Sequence, residues 1–287
     1  MNKSSGKKLK KFSCMIKHLK KNKTASISAL IIAALVIMAA LANVISPYNP
    51  LRINLDALRL APSWGHWMGT DNMGRDVFSR VIYGARVSLL VGFFSALISM
   101  IIGVVIGTVG GYAGGIVDSA MTALTDMVMA FPSLLLAIGI TVVLPPGIYT
   151  VMLALSVVGW ASFARLARGM VLSMKEQQFV EAARASGAGP LRIMFRHILP
   201  NCLPLIIVAG SLKIGSFVLA ESALSFLGLG VQPPAPTWGS MVSLSRDYIL
   251  SAPWMVIFPG AAIAVTVLSF NILGDSMRDW LDPKLKI

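Results

Sequence analysis

Apolar residues in this chain come in long runs separated by short polar stretches. The first, Ala25 to Ile45, carries no charge and matches the roughly 20 residues a helix needs to cross a bilayer. Further runs follow at 88–109, 119–143, 149–163, 201–220 and 253–273. This pattern predicts an all-α, polytopic membrane protein with six transmembrane helices. The intervals set the organisation. Residues 1–24 form a basic tail and 25–45 the first span. Residues 46–87 form a loop on the far side of the membrane. Residues 88–273 form a five-helix core interrupted by a polar segment at 165–200, and 274–287 form a C-terminal tail. A second polar stretch at 221–253, with Pro233, Pro234, Pro236 and Trp238, falls on the same side as 46–87.

Finer features modify these elements. Within Gly69 to Ser88 the stretch from Asp76 on is amphipathic, with Val77, Phe78, Val81, Ile82 and Ala85 set against Arg75, Arg80 and Arg86. It predicts an interfacial helix lying on the outer leaflet, separate from the second span. Pro132 falls inside the third run and predicts a kink, because proline removes a helix hydrogen bond. Ala40-Leu41-Ala42 resembles a signal-peptide cleavage site, but the apolar run exceeds the 7–15 residues of a signal core, which favours a retained span.

The polar segment holds the most distinctive pattern. Gln178 to Ser186 reads as a short helix with small residues at Ala182, Ala183 and Ala185. Gly187 suits its C-terminus, since glycine enters the left-handed region without a Cβ penalty. Pro190 suits the first turn of a second helix. That helix is expected to place Leu191, Met194, Phe195 and Ile198 on one face and Arg192 and Arg196, one turn apart, on another. Leu199, Pro200 and Pro204 then lead into the fifth apolar run. The result is a helical elbow hung between two spans, a handle for a partner outside the bilayer.

Composition agrees with the pattern. The chain is 56% apolar and 13% charged, against roughly 25% charged residues in a soluble domain. The net charge of +13 is no nucleic-acid footprint, because its lysines and arginines cluster in the tail and the elbow segment. With the N-terminus inside, the inside segments hold 18 basic residues and the outside segments six. By the positive-inside rule both termini and the elbow are therefore expected in the cytoplasm. The two cysteines, Cys14 and Cys202, are far apart in sequence and imply no disulfide framework.

Candidate chemistry is sparse. Asp126 and Lys213 lie inside apolar runs, where ionisable groups are costly and face the bundle interior or a water-filled path. Together with Pro132 they are candidates for a substrate pathway or for helix packing, and a pairing of Asp126 with Lys213 is one expectation. Glu221 is expected at the outer mouth as a solvated loop residue. The histidines, His18, His66 and His197, all fall outside the spans, which argues against an intramembrane Ser–His hydrolase and against a histidine-lined metal path. The 16 methionines are scattered and read as packing. No G-x-x-x-x-G-K-[ST] phosphate loop occurs in the chain.

Several of these residues stand in ordered motifs. Glu181-Ala182-Ala183, Gly187 and Leu199-Pro200 resemble the EAA loop of bacterial ABC importer permeases. Gly69-Thr70-Asp71, Gly74-Arg75-Asp76, Ser225 to Gly230, Trp238-Gly239 and Gly274-Asp275 through Leu281-Asp282-Pro283 are similar to the dipeptide, oligopeptide and nickel permease family, in its second-permease, C-type branch. The resemblance implies the type I importer permease fold, a bacterial plasma-membrane location and alternating access. It also implies a second homologous permease, two ATPase subunits and an extracytoplasmic substrate-binding protein. Glu181, Ala182, Ala183, Gly187, Pro190, Arg192, Arg196, Leu199 and Pro200 are then the expected ATPase-coupling residues. The chain itself is expected to be no enzyme and to bind no cofactor or metal, with ATP held by the partners. Peptides are the expected cargo, with nickel or a metal chelate as the alternative. A membrane scaffold or sensor is the reading outside transport. Lys213 belongs to none of the motifs.

Overall fold

A computed structural model of the chain describes residues 22–281. Cys14, His18, Asp282-Pro283, the last lysines and nearly all of the basic tail lie outside the described residues. The described residues are helical throughout apart from loops and one isolated β-bridge between Thr70 and Asp76. Five helices are long and apolar enough to cross a bilayer, and the number is six when one pair bent by 86° is counted as a single span.

Helix α1 (Lys23–Ala40) starts at Asn22, whose side chain accepts from the Ala25 amide, and a further turn at Ala42–Ile45 completes the predicted first span. After a structured loop comes α2 (Val77–Ala113), a single helix of 37 residues. The expected separate interfacial helix is thus corrected: its residues are the first turns of α2. The apolar stripe that suggested lipid contact is covered by protein. Val77 and Val81 pack with Met241 and Met255, and Ala85 with Trp238. The arginines of this stretch are bound as well. Arg80 donates to the Pro50 carbonyl, and Arg86 donates to the Ala39 and Ala40 carbonyls at the end of α1.

The third run is broken rather than kinked. Helices α3 (Gly115–Ala130) and α4 (Ser133–Val143) meet at 86°. Phe131 is extended, as the residue before a proline prefers, and Pro132 then caps α4. Helix α5 (Ile148–Met174) runs eleven residues past the predicted end of the fourth span at Phe163, so Arg165 and Arg168 lie on a helix and not in an open segment. It continues because Ala164, Ala167 and Val171 are buried.

A short helix α6 (Gln178–Ala185) precedes α7 (Pro190–Phe226), which joins the second elbow helix and the fifth span in one rod. The sequence pattern had separated them at Pro200. Pro200 cannot donate to the turn before it, and a π turn at Met194–Ile198 accommodates its ring. Helix α8 (Trp238–Ser245) begins at a capping box between Thr237 and Ser240. Helix α9 (Trp254–Leu281) extends beyond the predicted end at Leu273, since Gly274 lies against Leu212 and Ser211 of α7.

The longest interface joins α2 to α5. Small residues recur every fourth position along α2 at Ser95, Ser99, Gly103 and Gly107. Ser95 and Ser99 donate to the Met152 and Ser156 carbonyls. Gly103 and Gly107 let the backbone of α5 approach so closely that a Cβ would collide with the Trp160 and Ala164 carbonyls. This is the small-xxx-small solution to packing where hydrophobic burial cannot drive association.

Candidate functional site

The elbow is built by local rules. The Ala188 amide donates to the Ala183 carbonyl and the Gly187 amide to the Arg184 carbonyl. These two bonds make a Schellman turn, with Gly187 at φ +78°. Nothing lies within 4 Å of a Cβ placed at Gly187, so the backbone angle alone demands glycine there. Pro190 opens α7, as expected.

A single small cluster anchors this elbow. Val180 is buried with Val171, Ile193, Ile198, Cys202 and Ile206, and Ala183 packs against the group. Glu181 stands in the first turn of α6, where its charge complements the helix dipole. Its carboxylate is exposed, as are Ala182, Arg192, Arg196 and Pro200; Leu199 is half-buried. The predicted apolar face splits. Met194 and Ile198 are buried, whereas Leu191 and Phe195 are 67% and 61% exposed. Ile193, outside the predicted stripe, is buried in their place, in line with Ile198, Cys202 and Ile206. The elbow therefore presents exposed apolar side chains beside Glu181 and two arginines, and it makes few ties to the bundle.

Asp126 and Lys213 do not meet, which corrects the expected pair. Asp126 Oδ1 accepts from Arg165 of α5 at 2.6 Å, with both side chains more than half exposed. Asp118, which sequence reasoning passed over, accepts a two-pronged bond from Arg168 at 2.6 and 2.7 Å. Both aspartates of α3 are thus consumed by arginines of α5. Lys213 has no ion pair among the described residues; its Nζ lies 5.3 Å from the Phe217 ring centroid. It lines a cavity of about 360 Å³ where α3, α4, α5 and α7 meet, next to the Pro132 break.

Glu221 also departs from expectation. It is fully buried on α7, not solvated, and accepts from Ser88 at 2.9 Å and Ser225 at 2.7 Å. The same end of the bundle holds the motifs around Asp71, Asp76 and Trp238. Asp71 accepts from the Arg75 amide and guanidinium at 2.9 and 2.7 Å and lies 3.5 Å from Arg80. Asp76 caps α2 through the Ser79 amide and contacts His66 Nδ1 at 2.9 Å. Trp238 donates to the Val81 carbonyl at 2.9 Å. These residues brace the loop end, and only the spacing of the motifs hinted at it.

Comparison with known proteins agrees with this geometry. Residues 99–287 match the family described as "Binding-protein-dependent transport system inner membrane component". Residues 13–62 match the "N-terminal TM domain of oligopeptide transport permease C". A dipeptide transport system permease protein, DppC, of Alkalihalophilus pseudofirmus is 45% identical, with 94% of this chain and 89% of that protein covered. A glutathione transport system permease protein, GsiD, of Shigella flexneri is 46% identical over 91% of this chain and 87% of that one. In structure, the MetNI methionine ABC transporter in an inward-facing form superposes with a TM-score of 0.57 at 19% identity, covering 70% of this chain and 96% of that one, which speaks to the fold. The chain therefore belongs to the binding-protein-dependent transport system inner membrane component family, and is an ABC importer permease with the N-terminal module of the oligopeptide permease C type.

Proposed function

We propose that this chain is one of two membrane subunits of an ATP-driven importer of dipeptides or short oligopeptides. The observation that carries the coupling half of this reading is the elbow itself, which is anchored by one small cluster and leaves Leu191, Phe195 and Glu181 exposed. The cargo half is supported by the relatives described as dipeptide and glutathione permeases. A second homologous permease completes the pathway, two ATPases hold and hydrolyse ATP, and an extracytoplasmic binding protein delivers the peptide. The ATPases grip α6 and the exposed start of α7. Because the elbow and the fifth span form one rod, closure of the ATPase pair moves α7 directly and rocks the spans that pack on it. Gly187 permits the sharp turn, and Glu181 meets a basic group of the ATPase. The elbow and both termini face the cytoplasm of a bacterium whose plasma membrane holds the complex, as the basic-residue asymmetry supports.

The test is reconstitution. The permease, its partner permease, the two ATPases and the binding protein are placed in liposomes. ATP-dependent accumulation of labelled alanyl-alanine is then compared with that of nickel. Accumulation of dipeptide alone is the expected result; accumulation of nickel alone, or of neither, overturns the reading.

A further inference from the structure

Lys213 sits where a charge is expensive. It lies 14 residues beyond Leu199 on α7, about 21 Å along a helix rising 1.5 Å per residue. Ser162, which lines the same cavity, lies 14 residues from the start of α5 at Ile148, about 21 Å from the opposite end of the bundle. Both place the cavity near mid-depth of a hydrocarbon layer about 30 Å thick. A lysine there costs on the order of 3 kcal/mol on insertion scales, and such residues face a pathway or a counter-ion.

No counter-ion is present among the described residues. The acids on the helices that line the cavity are committed elsewhere: Asp126 to Arg165, Asp118 to Arg168 and Glu221 to the hydroxyls of Ser88 and Ser225. The Phe217 ring at 5.3 Å attracts the ammonium but leaves its charge uncompensated. The remaining lining is mixed. Ser133, Ser162 and Ser216 supply hydroxyls, and Leu155 and Phe217 supply apolar wall. At about 360 Å³ the cavity falls in the size range of small-molecule sites, roughly 300–1,000 Å³.

We infer that this cavity is a transit subsite in which Lys213 receives a carboxylate of the cargo, with the Ser162 and Ser216 hydroxyls turning to it from the Gly159 and Leu212 carbonyls to which they otherwise donate. The inference rests on the proposed peptide cargo, since every unmodified peptide carries a C-terminal carboxylate. The subsite selects for that group a second time, after the binding protein has released it. The carboxylate neutralises a half-buried, unpaired cation for the moment of passage, and opening of the path towards water lets it leave.

Two measurements on the complete transporter test this. In the first, the amine-acetylating reagent sulfo-N-hydroxysuccinimide acetate is applied to the transporter in nanodiscs, and modification of Lys213 is read by peptide mass spectrometry. Alanyl-alanine is expected to slow labelling of Lys213, and alanyl-alaninamide, which lacks the carboxylate, to leave it unchanged. Equal protection by both, protection by neither, or a Lys213 already inert without peptide overturns the subsite. The last result is the one that a partner-subunit carboxylate or a lipid phosphate on Lys213 produces. In the second, Lys213→Gln is expected to lower dipeptide uptake roughly tenfold, the worth of one charge-assisted hydrogen bond, and Lys213→Arg to restore most of it. Unchanged uptake by Lys213→Gln removes the subsite alone. Absence of dipeptide uptake by the wild-type transporter removes the cargo reading together with it.

Discussion

The two ends of this bundle are built in opposite ways. At the loop end, buried polar groups are tied across long sequence distances, Ser88 to Glu221, Val81 to Trp238 and Arg80 to the Pro50 carbonyl, and the buried Asp71 holds Arg75 and Arg80 beside them. At the elbow end, Arg165 and Arg168 tie α5 to α3 in partly exposed ion pairs, and the elbow itself is ordered locally. A Schellman turn, a proline at the first helical position and one small cluster around Val180 hold α6 against α7. The difference separates a brace from a handle. A brace must resist motion, so its polar groups are buried and mutually satisfied. A handle must offer groups to a partner, so Glu181, Arg192, Leu191 and Phe195 remain exposed.

Breaking the brace should unfold the protein. Asp71→Ala leaves Arg75 and Arg80 buried without their carboxylate, which costs about 3–5 kcal/mol. The expected outcome is a lowered unfolding midpoint in detergent and poor recovery from membranes. Trp238→Ala empties a fully buried site and removes the bond to Val81, for a loss at the lower end of about 3–5 kcal/mol read in the same assay. Gly103→Val drives a side chain into the α5 backbone and should cost about 1–3 kcal/mol, with α2 and α5 forced apart.

Breaking the handle should leave the bundle intact. Gly187→Val strains a backbone held at φ +78°, a cost of about 1–3 kcal/mol placed in the elbow turn, where no neighbour lies within 4 Å of the new Cβ. The unfolding midpoint should hold while copurification with the ATPases and peptide uptake fall. Normal uptake by this variant would sink the handle reading. The smallest effect is expected from Asp126→Asn. Its pair with Arg165 is more than half exposed and is worth at most about 1 kcal/mol, so stability should be nearly unchanged in a thermal scan.

Residues whose environment is made by near neighbours were legible from the chain. Gly187 and Pro190 do what their chemistry requires within one turn, and the spans follow from hydropathic length. Those whose partners lie far along the chain were not. Glu221 reads as a mouth residue until Ser88, 133 positions away, is brought beside it. Asp126 and Lys213 invite pairing because both are charges in apolar runs, yet Arg165 reaches Asp126 and Lys213 faces a cavity. The stripe from Val77 to Ala85 reads as a lipid-facing helix because an apolar face carries no mark of what will cover it. A repeat of small residues from Ser95 to Gly107 was available as a signal for the α2–α5 seam, since a four-residue spacing keeps one helix face narrow.

By itself the sequence determined the all-helical architecture, the apolar spans, the elbow and the family, because each rests on periodicity, length or ordered local motifs. Only the tertiary structure decided that the elbow and the fifth span form one rod, that Glu221 is a buried brace, and that Lys213 stands alone in a cavity. The physical reason is the same in each case. The cost of a buried charge is set by which groups the fold brings within a few ångströms of it, and separation along the chain does not contain that distance.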